Sequence, residues 1–292
     1  MRFPMSNKIF CVLVLVSFLY LTGCTKAQTP EDAKKENAPA GNNVGRKEPK
    51  PKIEKIKNPG KLVHVLVALC DNENQGIVQV PAHLGNGQAP DRNLYWGAAY
   101  GVKTFFSKSR NWEKIASFER PGDFVLERLV FRHKNKNVFL VADAYDGSRM
   151  RETIDDFFAA ASGGKLENIS AGSTTLQIFG SADLTAFVGH NGLMDFELEK
   201  QPEKSDSEKR EAIILACASR NYFSAPLRKT GAEPLLWTTN LMAPEAYILH
   251  DALEGWAAGE SGEQIRTRAA RAYAKYQKIS ERAARNLLVS GW

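Results

Sequence analysis

Two short apolar runs, each ending in reactive side chains, decide the fold: Thr185-Ala186-Phe187-Val188-Gly189-His190-Asn191-Gly192 and Ala212-Ile213-Ile214-Leu215-Ala216-Cys217-Ala218-Ser219. A continuous apolar run of this length is typical of a strand covered on both faces of its sheet. If the two strands are parallel neighbours, His190 and Cys217 emerge at one edge, where open α/β sheets place their sites. A thiol beside an imidazole is a nucleophile beside its base.

Other apolar runs alternate with helical patterns along the rest of the chain. Strands are predicted at residues 62–69, 125–131, 137–142, 174–179 and 234–239. Helices are predicted at residues 94–106 (with Asp91 or Asn93 as N-cap), 149–161 (capped by Ser148) and 244–258. This alternation indicates an α/β fold, a three-layer sandwich with a mostly parallel central sheet, over residues 61–260.

Residues 1–23 are predicted to be a signal peptide. Arg2 and Lys8 precede an apolar stretch that is too short to span a bilayer comfortably. The stretch ends in Leu21-Thr22-Gly23-Cys24, which resembles the lipobox of bacterial lipoproteins. That resemblance implies cleavage before Cys24 and attachment of lipid to its thiol. An uncleaved anchor and an ordinary secretory signal are the alternatives.

The residues that follow Cys24 bear on where the protein resides. Thr25, rather than Asp, comes next, which by the same resemblance favours the outer membrane, facing the periplasm, in a Gram-negative host. Residues 24–60 are rich in Lys, Glu, Pro, Asn and Gly, so they predict a disordered tether. We therefore expect a cell-envelope protein that is anchored to the membrane through lipid on Cys24.

The charge and the motifs narrow the function classes. The formal net charge is +6, and two of the positive charges belong to the signal peptide. No zinc-finger, helix-turn-helix or RNP-like motif accompanies this mild basicity, so nucleic acid is not an expected partner. The histidines lack metal-ligand spacing and no nucleotide-binding glycine loop is present, so we expect neither metal nor cofactor.

The two opening blocks resemble the caspase-like cysteine peptidases, a group that includes caspases, metacaspases, legumains, gingipains and CHAT peptidases. The matching residues are Phe187-Val188-Gly189-His190 and Ile214-Leu215-Ala216-Cys217-Ala218-Ser219, in that order. The resemblance implies that Cys217 is the nucleophile and that His190 protonates the leaving amine. It also implies an oxyanion hole made by the backbone N–H of Cys217 with that of Asn191 or Gly192.

The chain departs from the family pattern at two positions. Asn191 stands where the family usually has Gly, and Leu215 where it often has a polar or acidic residue. The resemblance further implies that the strands ending at Cys70 and Cys217 flank the His190 strand. Strands two apart are separated by roughly 9–10 Å, which exceeds the ~7 Å between the Cα atoms of a disulfide. A Cys70–Cys217 disulfide, which an oxidising compartment would favour, is the alternative.

Two further features carry weaker functional interpretations. Asp143 and Asp146 follow a predicted strand and could line a pocket for a basic side chain, or simply form a turn and cap a helix. Residues 261–288 predict one long C-terminal amphipathic helix with an apolar and a basic stripe. The basic stripe either contacts an anionic lipid surface or is the solvated face of a helix packed on the domain.

Together these patterns predict a membrane-tethered cysteine endopeptidase that uses a His190–Cys217 dyad on a peptide or protein substrate. One alternative is a catalytically inactive relative that serves as an envelope binding or scaffold protein. A second alternative is an acyl hydrolase that uses the same pair on other substrates.

Overall fold

An eight-stranded sheet forms the centre of the structure, a computed structural model that describes residues 53–292. The predicted signal peptide, Cys24 and most of the predicted tether lie outside the described residues. The strands are Lys61–Ala68 (β1), Trp112–Glu119 (β2), Val125–His133 (β3), Val138–Tyr145 (β4), Leu166–Ala171 (β5), Thr174–Phe179 (β6), Leu184–Val188 (β7), Glu211–Leu215 (β8), Glu233–Thr238 (β9) and Leu288–Val289 (β10). The helices are Val102–Ser107 (α1), Met150–Ser162 (α2), Ser219–Thr230 (α3), Ala246–Ala257 (α4), Gly262–Gln277 (α5) and Glu281–Leu287 (α6).

The sheet is mixed and mostly parallel, with the strand order β10-β9-β8-β7-β1-β4-β3-β2. Strands β4, β1, β7, β8 and β9 run parallel to one another, and the antiparallel strands lie towards the two edges. The predicted α/β class with a mostly parallel sheet is thereby confirmed. Strands β5 and β6 form a separate hairpin.

Helices cover both faces of the sheet because the central strands are apolar on both sides. In β1, Val63 and Val65 face a core shared with α1, α4 and α5, whereas Leu62 and Leu66 face α2, α3 and the β5–β6 hairpin. Each such side chain stabilises the fold by roughly 1.5–3 kcal/mol on burial. The double coverage explains why these strands are continuous apolar runs.

The predicted helix at residues 94–106 is wrong over its first two turns. The helix α1 begins only at Val102, and its N-cap is Gly101 rather than Asp91 or Asn93. Asn93 is buried instead, where its side chain accepts from Cys70 N at 3.0 Å and donates to Cys70 O at 2.8 Å. This amide thus fixes the loop to the end of β1.

The C-terminal segment forms two helices, whereas one helix was predicted. Lys278 adopts a left-handed conformation that ends α5, and the Ser280 side chain caps α6. Three arginines of the predicted basic stripe form ion pairs within the chain: Arg268 with Glu260 (2.6 Å), Arg271 with Glu281 (3.5 Å) and Arg285 with Glu263 (2.5 Å). Such pairing accords with a helix packed on the domain.

The described end of the predicted tether is attached to the domain. The backbone N–H of Ile56 donates to Gln177 Oε1, and the Asn58 amide donates to the carbonyls of Gln177 and Ser181, each at 3.0 Å. The segment then enters β1 at the N-terminal edge of the parallel strands. None of the helices within residues 53–292 has the length and apolarity that crossing a bilayer requires.

Candidate functional site

His190 and Cys217 lie at the C-terminal edge of the sheet, on neighbouring parallel strands. Val188 of β7 pairs with Leu215 of β8, so each reactive residue comes two positions after the same rung of the ladder. A glycine is required at position 189, between the end of β7 and His190. Its φ is +153°, and a Cβ there would lie 2.9 Å from the carbonyl oxygen of Ala68.

The imidazole of His190 is oriented by a carboxylate that sequence reasoning missed. His190 is buried, and its Nε2 lies 2.7 Å from Asp195 Oδ2. Because an ionised carboxylate only accepts, Nε2 is the donor of this hydrogen bond, and in the neutral ring Nδ1 is the acceptor nitrogen. Asp195 ends a short 3-10 turn, residues 192–194, whose cap is the side chain of Asn191. The sequence signal was only an acid in a turn just after the histidine.

Cys217 sits at a sharp turn between β8 and α3. The next residue, Ala218, has a φ of +48°, a conformation that costs a non-glycine residue roughly 1–2 kcal/mol. The half-buried thiol lies 3.4 Å from the backbone nitrogen of Met242 and 3.5 Å from its carbonyl oxygen. Among the described residues no hydrogen bond joins Cys217 Sγ to His190, although both residues lie at the same edge of the sheet.

The predicted oxyanion donors differ in their availability. Within residues 53–292, the backbone N–H groups of Cys217 and Asn191 have no hydrogen-bond acceptor, whereas that of Gly192 donates to the His190 carbonyl at 3.1 Å. The Asn191 side chain also donates to the Cys217 carbonyl at 2.6 Å. Asn191 therefore does what a glycine could not, because it ties the histidine loop to the cysteine turn.

The second described cysteine is chemically different from Cys217. Cys70 follows β1 and is fully buried, and this burial raises the pKa of its thiol to about 11, although a hydrogen bond with Tyr95 opposes the shift. Burial, followed by the neighbouring Cys70 and Cys217 thiols, raises the pKa of Tyr95 as well. Both cysteines are free, and β7 separates their strands as the family resemblance implied.

The predicted pocket role is wrong for Asp143, which has no exposed surface. Asp143 is fully buried between Arg128 (Nε–Oδ1, 2.6 Å) and His64 (Nε2–Oδ2, 3.0 Å). Burial alone would raise the pKa of Asp143, but the Arg128 charge and the His64 hydrogen bond lower it to about 2. Asp146 caps a 3-10 turn by accepting from the Ser148 N–H at 2.9 Å. The alternative of turn formation and capping is confirmed for Asp146.

Neither a cluster of metal ligands among the described residues nor a match to a known protein helps to identify the site. Within the described part of the chain, no group of three or more His, Cys, Asp and Glu side chains is arranged to hold a metal ion. Comparisons with protein-family models, with curated proteins and with solved structures find no match for this chain. The function therefore has to be inferred from the residues at the sheet edge.

Proposed function

We propose that the chain is a cysteine endopeptidase with a caspase-like fold, with Cys217 as nucleophile and His190 as acid–base group. The observation that carries the proposal is the register of β7 and β8, which delivers both residues to one edge of the sheet. The Asp195 carboxylate supports it, because it orients the imidazole so that Nδ1 is the basic nitrogen of the neutral ring. An unprotonated imidazole nitrogen is the base that can remove the proton of a neutral thiol.

The chemistry follows from these positions. The Cys217 sulfur attacks the peptide carbonyl carbon while its proton moves to His190, and the C–N bond then breaks as His190 protonates the leaving amine. Water hydrolyses the resulting thioester and regenerates the thiol. The free N–H groups of Cys217 and Asn191 are suited to the developing oxyanion, and such donors are worth about 3 kcal/mol each.

Catalysis requires one local rearrangement. The thiol must leave the Met242 backbone, which it contacts at 3.4–3.5 Å, and turn towards His190. Rotation about the Cα–Cβ bond of Cys217 is the motion available to the sulfur. Catalytic hydrogen bonds are often long or unformed before substrate binds. We propose that substrate binding displaces the Met242 segment from the thiol.

The attachment of the chain to a membrane is the second part of the proposal. Residues 53–60 reach β1 at its N-terminal end, and β1 is eight residues or about 26 Å long. We propose that lipid on Cys24 anchors the chain to the membrane and that the domain joins this anchor through the residues before β1. The substrates would then be peptides or proteins in the cell envelope.

Peptides that carry an acyloxymethyl ketone electrophile test the nucleophile directly. We expect the wild-type protein to form an adduct at Cys217 and the Cys217→Ala variant to form none. The His190→Ala variant should react at least about 100-fold more slowly, because general base help is lost. Cys70→Ala is the matched control, since it removes a thiol outside the site, and it should label like the wild type. A folded wild-type protein that stays unlabelled would refute the proposal.

An inactive binding or scaffold protein is the second candidate, and the contact between the thiol and Met242 favours it. In such a protein the Cys217 sulfur would serve only to hold the backbone of Met242 in place. The same labelling distinguishes the two candidates, because a scaffold leaves Cys217 no more reactive towards the peptide electrophile than a free thiol. Comparison of amide with thioester substrates addresses an acyl hydrolase that uses the same pair.

A further inference from the structure

We propose that Ser109, His250 and Asp251 form a second hydrolytic site, a serine triad that acts on carboxylic esters. Ser109 lies in the turn between α1 and β2, and the other two residues belong to α4. Because β2 runs parallel to β4 and β1, the turn before it lies at the N-terminal edge of the sheet. The site is therefore at the opposite edge from Cys217.

Two hydrogen bonds of the His250 ring set the order of the protons in this cluster. His250 Nδ1 lies 2.9 Å from Asp251 Oδ1, and His250 Nε2 lies 2.9 Å from Ser109 Oγ. An ionised carboxylate accepts only, so Nδ1 is a donor, and in the neutral ring Nε2 is the acceptor. The Ser109 hydroxyl is consequently the donor. This is the order that a serine nucleophile, its base and a positioning carboxylate require.

The surroundings of Ser109 provide the other parts of such a site. Ser109 and His250 line a cavity of about 570 Å³, and its apolar wall is formed by Tyr100 and Phe105. Among the described residues, the backbone N–H of Arg110 has no acceptor, and the residue after the nucleophile is a common oxyanion donor. A carboxylate oxygen of Glu254 lies 3.9 Å from His250 Nε2, where it would stabilise the imidazolium formed during attack.

The proposed reaction is the hydrolysis of a short-chain carboxylic ester whose acyl group packs against the apolar wall. Ser109 Oγ bonds to the ester carbonyl carbon while its proton moves to His250 Nε2. The bond to the alcohol oxygen then breaks, and the alcohol leaves with that proton. Water attacks the acyl-serine through the same base, which releases the carboxylic acid and restores the hydroxyl.

The test uses the full-length chain in mild detergent with Cys217→Ala in every sample, so that the thiol contributes nothing. p-Nitrophenyl butyrate reports turnover, and an alkyl fluorophosphonate reports the nucleophile. We expect the fluorophosphonate adduct at Ser109 by peptide mass spectrometry. Ser109→Ala should lower butyrate turnover at least about 100-fold, whereas Ser107→Ala, which removes an exposed serine two positions away, should leave it unchanged.

A positioning role for Asp251 is checked by conservative rescue. Asp251→Asn should slow fluorophosphonate labelling about tenfold, and Asp251→Glu should recover most of the rate, because the carboxylate rather than the residue's bulk orients the ring. The proposal is overturned if the folded protein carries no adduct at Ser109, or if Ser109→Ala retains the turnover. Neither result bears on the Cys217 peptidase, since that thiol is absent from every sample.

Discussion

At the scale of the residue, the state of His190 depends on a single carboxylate. Asp195 Oδ2 also accepts from the Gly76 N–H at 3.4 Å, so two donors hold this one oxygen while the side chain remains partly exposed. Its position fixes which ring nitrogen donates to the carboxylate. The proposed mechanism therefore depends on a residue that acts by positioning His190.

Replacement of this carboxylate should impair labelling without loss of the fold. Asp195→Asn retains the shape of the side chain but removes the acceptor-only carboxylate, so the ring loses its fixed tautomer. We expect the rate of peptide–ketone labelling to fall about 10–100-fold, with an unchanged melting temperature and partial recovery in Asp195→Glu. Equal rates in Asp195→Asn and the wild type would remove Asp195 from the mechanism.

The two described cysteines should differ in their reactivity towards iodoacetamide in the native protein at pH 8. Cys217 is partly exposed and should be alkylated, whereas Cys70 is fully buried with a pKa of about 11 and should not react. Peptide mass spectrometry distinguishes the two sites. In urea both thiols should react alike. If Cys70 is alkylated in the native protein as fast as Cys217, Cys70 is not buried.

At the scale of the element, the segments that follow β7 and β8 each contain a backbone conformation that few residues adopt. Gly189 follows β7 with a φ of +153°, and Ala218 lies just beyond Cys217 with a φ of +48°. Both residues adjoin reactive side chains. Backbone strain of this kind costs about 1–3 kcal/mol and persists where surrounding contacts enforce it. Here the enforcing contacts are the strand ladder and the hydrogen bond from Ala218 N to Asn240 O at 2.9 Å.

Gly189→Ala should destabilise the protein and abolish labelling of Cys217. The new methyl would lie 2.9 Å from Ala68 O, in a φ region that side chains rarely adopt. We expect a loss of about 2–4 kcal/mol in the free energy of unfolding, measured with urea. Gly172→Ala is the matched control. Gly172 also has a positive φ (+62°) but has nothing within 4 Å, so its loss should be near 1 kcal/mol. If both variants lose the same free energy of unfolding, the contact with Ala68 O does not contribute to the destabilisation by Gly189→Ala.

The elements that could be predicted from the sequence are those with a clear hydrophobic pattern. Strands β1, β4, β7 and β8 were predicted because each is apolar on both faces. Strand β2 was missed because only Trp112 among its residues is fully buried. Helix α3 was missed because Ala218, its N-cap, has no capping side chain, and because Pro226 lies inside it. In both cases tertiary packing supplies what the local sequence lacks.

At the scale of the whole molecule, long-range partners decide what each candidate residue does. The meeting of His190 and Cys217 at one edge could be predicted, since strand ends follow from apolar runs. The burial of Asp143 could not be, because its partner His64 is 79 positions away and the β5–β6 hairpin covers both. The role of Asn191 could not be predicted either, because it bridges to a turn 26 residues further along.

The Asp143 cluster joins the sheet to the hairpin and should carry much of the acid sensitivity. Arg128 bonds both Asp143 and Glu167 of β5, while the N–H of Phe179 in β6 donates to His64 at 3.3 Å. Arg128→Met would leave a buried carboxylate without its counter-charge. We expect a loss of about 3–5 kcal/mol in the free energy of unfolding at pH 7. The exposed Arg149→Met is the control and should lose less than about 1 kcal/mol.

The acid dependence has a definite sign. The pKa of Asp143 in the folded protein is about 2, below its ordinary value of 3.8, so its contribution is present above about pH 4 and is lost as the pH falls towards 2. The size is about 2 kcal/mol. Urea unfolding at a series of pH values should show this loss in the wild type and a smaller one in Asp143→Asn. Identical pH profiles for the two proteins would contradict the pairing.

Cleavage of an unstructured protein by the full-length chain tests the central claim most directly. Reduced and carboxymethylated protein substrate is incubated with wild type, Cys217→Ala, His190→Ala and Cys70→Ala, and the fragments are identified by mass spectrometry. The account predicts internal cleavage by the wild type and Cys70→Ala, none above background with Cys217→Ala, and a rate at least about 100-fold lower with His190→Ala. Cleavage that survives in Cys217→Ala, or its absence in the folded wild type, would contradict the account.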